Sequence, residues 1–60
     1  MEDFMVIYIR DGHRRAELFA YMDNACKYCK MLKDLGYSYK IYVLSKNGTP
    51  QFLEGWNSKN

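Results

Sequence analysis

Two dipeptides, Asp11-Gly12 and Asn47-Gly48, each interrupt a run of alternating apolar and polar residues, and no other feature of the chain narrows its fold as much. An Asx-Gly pair accepts the positive φ angles of a type I′ turn, the two-residue connection whose twist matches a β-hairpin. Phe4 to Arg10 is rich in Val, Ile, Tyr and Phe, as strands are, and His13 to about Tyr21 reads as its return. Tyr37 to Ser45 and Thr49 to Trp56 read as a second hairpin about Asn47-Gly48, with Pro50 confining the last strand to an edge. From about Met22 to Leu35 the spacing is helical. Met22, Ala25, Cys26, Cys29, Leu32 and Leu35 form one stripe, and Lys27, Lys30, Lys33 and Asp34 point away from it. Gly36 suits the left-handed position that closes such a helix. The expectation is an α+β, two-layer ββαββ domain with one helix on a three- to four-stranded antiparallel sheet. A right-handed crossover through the helix would set the third strand beside the first, giving the order 2-1-3-4.

Sixty residues make one domain, read as a compact unit over 1–56 with a frayed tail over 57–60. A domain of this size buries only about 60% of its unfolded surface, so its stability is expected to be slender. Hydrophobic residues at 48% and aromatics at 17% nevertheless supply enough apolar surface to fold. No apolar run approaches the roughly 18 residues of a membrane span, and Met1-Glu2-Asp3 is acidic where a signal peptide is basic. These features point to the cytoplasm and to no membrane partner. Nine basic and seven acidic residues give a net charge of +2, too balanced to imply a polyanionic partner by itself.

Register turns this pattern into a functional expectation. With Asp11-Gly12 as the turn, Arg10, Tyr8, Val6 and Phe4 oppose His13, Arg15, Glu17 and Phe19 on one face; Met5, Ile7, Ile9, Ala16 and Leu18 share the other. The second turn groups Tyr37, Tyr39, Ile41 and Val43 with Phe52 and Trp56, against Tyr42, Leu44 and Leu53. Both faces of each hairpin are apolar, and one helix covers one face. A large contiguous apolar patch on a small protein implies a binding role. If the outer face carries Tyr8, Tyr42, Leu44 and Leu53, it suits a homodimer or a protein target, and an exposed edge strand offers a second route.

Cys26-Lys27-Tyr28-Cys29 invites two chemical readings. As a metal site it is incomplete, because structural zinc takes four ligands and His13 is the only other usual soft or borderline ligand. The same segment with Lys30, followed by Gly36-Tyr37-Ser38-Tyr39 and then Thr49-Pro50-Gln51-Phe52, resembles the C-x-x-C, helix, strand and Thr-Val-Pro-Gln elements of glutaredoxins. That resemblance implies a thiol redox protein with Cys26 as a low-pKa nucleophile at a helix N-terminus. The chain departs from it in having no proline after Cys26, no Val in the Thr-Pro-Gln run, and no space for a second helix between the last two strands. Cysteines on an apolar stripe pack as small hydrophobes, and no disulfide between i and i+3 of a helix is expected.

Arg10, Arg14 and Arg15, with His13, gather around the first turn. With aromatics on an open sheet they suit single-stranded nucleic acid, phosphates on the arginines and bases on the rings. An acidic protein patch would suit the same arginines. Catalysis has little support: there is one histidine, no phosphate-cradling glycine loop and no nucleophile elbow, and neither catalytic residue nor cofactor is assigned. The leading expectation is a non-enzymatic protein-interaction module, of the kind phages and mobile elements use to inhibit or modulate a host protein, acting through an open sheet face or edge with or beside homodimerisation. The residues assigned to it are Tyr8, Tyr42, Leu44, Leu53, Arg10, Arg14 and Arg15. Single-stranded nucleic-acid binding is the alternative, and glutaredoxin-like redox chemistry stands third.

Overall fold

The alternating runs form strands and the periodic run forms the helix. In a computed structural model that describes residues 3–45 and 48–58, the elements are β1 (Asp3–Arg10), β2 (His13–Phe19), α1 (Met22–Leu35), β3 (Tyr39–Leu44) and β4 (Gln51–Trp56). All neighbouring strands pair antiparallel in the order β2-β1-β3-β4, and α1 packs on one side of the sheet. This is the two-layer ββαββ arrangement expected from the sequence.

The first hairpin follows its turn chemistry. Asp11 has φ 52° and Gly12 φ 80°, the two positive angles of a type I′ turn. The register then runs without interruption from Arg10↔His13 through Tyr8↔Arg15 to Phe4↔Phe19. β2 stops at Phe19 rather than at Tyr21. Tyr21 is already the residue preceding the helix, extended at φ −125° and ψ 136°, and its carbonyl accepts the Ala25 N–H. No side chain caps this end, although Asp23 in the first turn offsets the exposed N–H groups. The other end is closed firmly. Gly36, at φ 83°, donates its N–H to the Lys33 carbonyl, and Tyr37 donates to that of Leu32, the paired bonds of a Schellman motif.

The second hairpin departs from the expected register in one place. Tyr39↔Trp56, Lys40↔Gly55 and Ile41↔Glu54 match a turn centred on Asn47-Gly48, but Tyr42 pairs with Phe52 and Val43 with Gln51. Leu53 is left without a partner, a β-bulge between Ile41 and Tyr42. Phe52 is thereby moved to the Tyr42 side, against the expected grouping with Val43 and Trp56. Its ring lies edge-on to Tyr42 with centroids 5.8 Å apart. The connection from Leu44 to Gln51 spans six residues; Asn47 and its turn geometry lie outside the described residues.

The core is thin. Val6, Tyr8, Ala25, Cys29, Leu32 and Ile41 are buried, with Phe4, Phe19, Met22, Tyr28, Tyr37 and Tyr39 packed around them. Tyr28 settles which sheet face the helix meets: its ring stands edge-on to Tyr8 at 5.7 Å and tilted against Phe19 at 5.3 Å, geometries that aromatic quadrupoles favour. The expected helical stripe is shifted accordingly. Tyr28 joins it, while Cys26 and Leu35 face solvent. At the far end Tyr39 stacks on Trp56 at 6.3 Å, with Lys33 Nζ 5.8 Å from the indole centroid. Beyond β4 the Ser58 N–H donates to Ser38 Oγ at 2.8 Å.

Leu32 and Leu35 test this placement, since both belong to the expected stripe but are 1% and 59% exposed respectively. Leu32→Ala should cost about 2–5 kcal/mol, as buried leucine truncations do, and leave little folded protein. Leu35→Ala should stay within about 0.5 kcal/mol of the parent in urea denaturation.

Candidate functional site: the open face of the sheet

Alternation on the central strand decides what the helix leaves uncovered. Val6 and Tyr8 point beneath α1 and are buried. Met5, Ile7 and Ile9 therefore project from the opposite face. Register adds Ala16 and Leu18 from β2, Tyr42 and Leu44 from β3 and Phe52 from β4. Leu18 is 65% and Phe52 57% exposed. An apolar surface, interrupted by Lys40 on β3, thus crosses all four strands, with no second layer upon it among the described residues.

The expected partner-binding residues divide between the two faces. Tyr42, Leu44 and Arg14 lie on the open face, and Leu53 sits at the bulge beside Phe52 and is exposed. Tyr8 does not belong to this group: it is 7% exposed and packs under the helix. The reason is parity, since Tyr8 pairs with Tyr39 while Tyr42 pairs with Met5, an odd number of residues away on β1. Arg10 and Arg15 share the parity of Tyr8, so the three arginines near the first turn divide between the two faces of the sheet. Only Arg14 stands beside the open-face rings. Met5, Ile7, Ile9, Leu18 and Phe52 were not among the assigned site residues. The first four were visible as one register set, whereas Phe52 is placed by a bulge that alternation cannot reveal.

Toward the β1–β2 turn the open face dips into a shallow concavity of about 300 Å³, lined by Ile7, Ile9, Arg14, Lys40, Tyr42 and Asn57 among others. Gly55 opposes Lys40. A Cβ there would lie 2.9 Å from the Tyr39 carbonyl oxygen and 3.2 Å from Lys40 Cγ, so β4 passes closer to β3 than a side chain allows. The charges of this face are separated along the strands. Arg14 and Lys40 border the concavity; Asp3, opposite Leu44, lies at the other end of β1.

The edges are less suited to recruiting a strand. Outer strand β2 carries His13, Arg14, Arg15 and Glu17, and β4 follows Pro50 and is interrupted by the bulge. Charge, proline and bulges are the features that discourage pairing at an edge.

Both cysteines are free thiols, Cys26 exposed and Cys29 buried. The helix begins at Met22, so Cys26 lies about a turn inside it and lacks the helix N-terminal position that the glutaredoxin resemblance implies. Burial, followed by the Cys26 and Glu54 charges, pushes the Cys29 thiol up to about 11. Among the described residues no group of three or more His, Cys, Asp or Glu side chains is placed to hold a metal ion, and no helix is long and apolar enough to cross a membrane. The chain matches no protein-family model, no curated protein and no solved structure.

Thiol accessibility gives one expected outcome: a disulfide-exchange reagent should titrate one thiol promptly in the folded protein and the second only on unfolding. Cys26→Ser should remove the prompt phase. Alkaline stability gives another. Burial, then the hydrogen-bonding hydroxyl of Tyr8, pushes Tyr28 up to about 12 from 10.0, and Cys29 rises from 9.0 to about 11. Folded values above unfolded ones mean that this stabilisation is complete below pH 9.0 and is lost as pH rises through about 11 and 12. The urea midpoint should therefore fall over that window, and Tyr28→Phe should make the fall shallower.

Proposed function

We propose that this chain is a protein-interaction module whose working surface is the sheet face opposite α1, and that it acts by occupying a partner's surface rather than by catalysis. The single observation that supports this reading is the uncovered apolar face: Met5, Ile7, Ile9, Leu18, Tyr42 and Phe52 form one surface across four strands. Patches beyond a few hundred Å² on small soluble proteins are commonly functional, and aromatic residues dominate the centres of protein interfaces. The blunted edges favour the face over strand addition as the route. Division of the arginines favours a protein over a nucleic-acid chain, because a phosphate track needs its cations on the side where the bases stack.

Ile9→Asp with Phe52→Asp tests the reading. Both positions are largely exposed, so the double variant should keep the thermal midpoint of the parent when dilute. Immobilised parent protein should retain a protein, second copies of the chain included, at high salt, and the double variant should lose it. Retention that the double variant preserves would overturn the proposal. So would retention that salt or nuclease abolishes, since binding to phosphates weakens steeply with salt.

A further inference from the structure

We infer that the occupant of the open face is a second copy of this chain, docked sheet to sheet about a twofold axis perpendicular to the strands; the inference rests on the reading of that face as an interaction surface. Three observations carry it.

The first is area. A compact monomer of 7.2 kDa is expected to expose about 4100 Å², and this chain exposes 4716 Å². The excess, roughly 600 Å² over the whole chain, is of the order of the approximately 800 Å² that each partner contributes to a standard interface.

The second is self-complementarity, which an isologous interface requires. At open-face positions among the described residues, Asp3 is the one acidic side chain and Arg14 and Lys40 are the basic ones. A twofold axis across the strands near the middle of β1 reverses each strand over its own copy. It sets Asp3 of one protomer above Ile9 of the other, one strand from Arg14, and Leu44 above Ser38. Leu44 then enters the concavity while Asp3 meets Arg14. Met5, Ile7, Tyr42 and Phe52 surround the axis, with Lys40 of each copy beneath Tyr42 of the other. A random apolar face would place like charges together under the same operation as readily as opposite ones.

The third is the condition of the edges. With β2 charged and β4 bulged, edge-to-edge continuation of the sheet is disfavoured, which leaves face-to-face stacking, the packing that two aligned sheets adopt in sandwiches.

Charge exchange measured by sedimentation equilibrium at about 0.15 M salt tests this arrangement. The parent should sediment as a dimer. Asp3→Arg and Arg14→Asp, each creating like-charge juxtaposition, should each weaken the dimer by about tenfold or more. The double exchange should restore it to within about threefold of the parent. Within one chain Asp3 lies six residues from Ile9, the partner of Arg14, about 20 Å along the strand. That exceeds a Debye length at ordinary ionic strength, so rescue reports contact between copies. A parent that is monomeric at every concentration would overturn the inference, and the face would still stand as an interaction surface if extract retention depended on Ile9 and Phe52. A dimer indifferent to the charge variants would overturn this docking. A dimer that persists in Ile9→Asp with Phe52→Asp would overturn the inference and the working surface together.

Discussion

The packing of a single helix against a sheet whose central strand is apolar on both sides governs this molecule. β1 supplies Val6 and Tyr8 to the helix and Met5, Ile7 and Ile9 to the opposite surface. α1 is one helix and can shelter one of these sets. Which one it shelters is fixed by Tyr28, whose ring fits between Tyr8 and Phe19, and by Ala25, Cys29 and Leu32 behind it. Choosing Val6 and Tyr8 leaves the other apolar set facing water at a cost the fold does not recover internally. Architecture and candidate function thus share one cause.

Much of this was legible because it depends on local chemistry. Asp11-Gly12 carries its own backbone preference, so the first hairpin has its register written into two residues. Gly36 likewise marks the end of α1 through its left-handed conformation. The covered face was not legible, since both parities of β1 are apolar and only the seating of Tyr28 separates them. A helical stripe drawn through Cys26 and Leu35 missed that Tyr28 belongs with the core, because a tyrosine ring reaches the sheet from a position nearer the stripe's border. The bulge was beyond reach as well. It depends on how β4 leaves the six-residue connection and approaches β3 so closely at Gly55, which are relations between strands rather than properties of one. The arginines teach a different lesson. Arg14 and Arg15 are adjacent in sequence, yet adjacency in a strand means opposite faces, and parity alone separates Arg14 from Arg10 and Arg15.

The thinness of the core gives the open face energetic weight. Among the described residues six are buried, and the layer beneath α1 is one side chain deep. At this size burial barely outweighs chain entropy, so any species that binds the folded state alone raises the folded population by mass action. A partner on the open face would convert a two-layer domain into a three- or four-layer assembly and place β1 and β3 between two apolar layers. The same strands that carry Val6 and Ile41 into the core carry Ile7 and Tyr42 outward, so loosening the helix side would disorder the proposed interaction surface too.

Folding and the proposed recognition would therefore be coupled through β1. Its inner side chains pack on α1, its outer ones face away from it, and its backbone is paired on both sides by β2 and β3. Pairing on both sides holds the strand flat enough to present Met5, Ile7 and Ile9 at fixed spacing, which is the pre-organisation that lowers the entropic cost of binding. Opposite charges at the two ends of the face would add direction to an otherwise non-directional apolar contact with a second copy. Asp3 at one end and Arg14 at the other would make one orientation of a facing copy favourable and the parallel orientation repulsive. In the proposed docking, apolar area would supply affinity, and the charge separation along β1 would select the geometry in which that area is used.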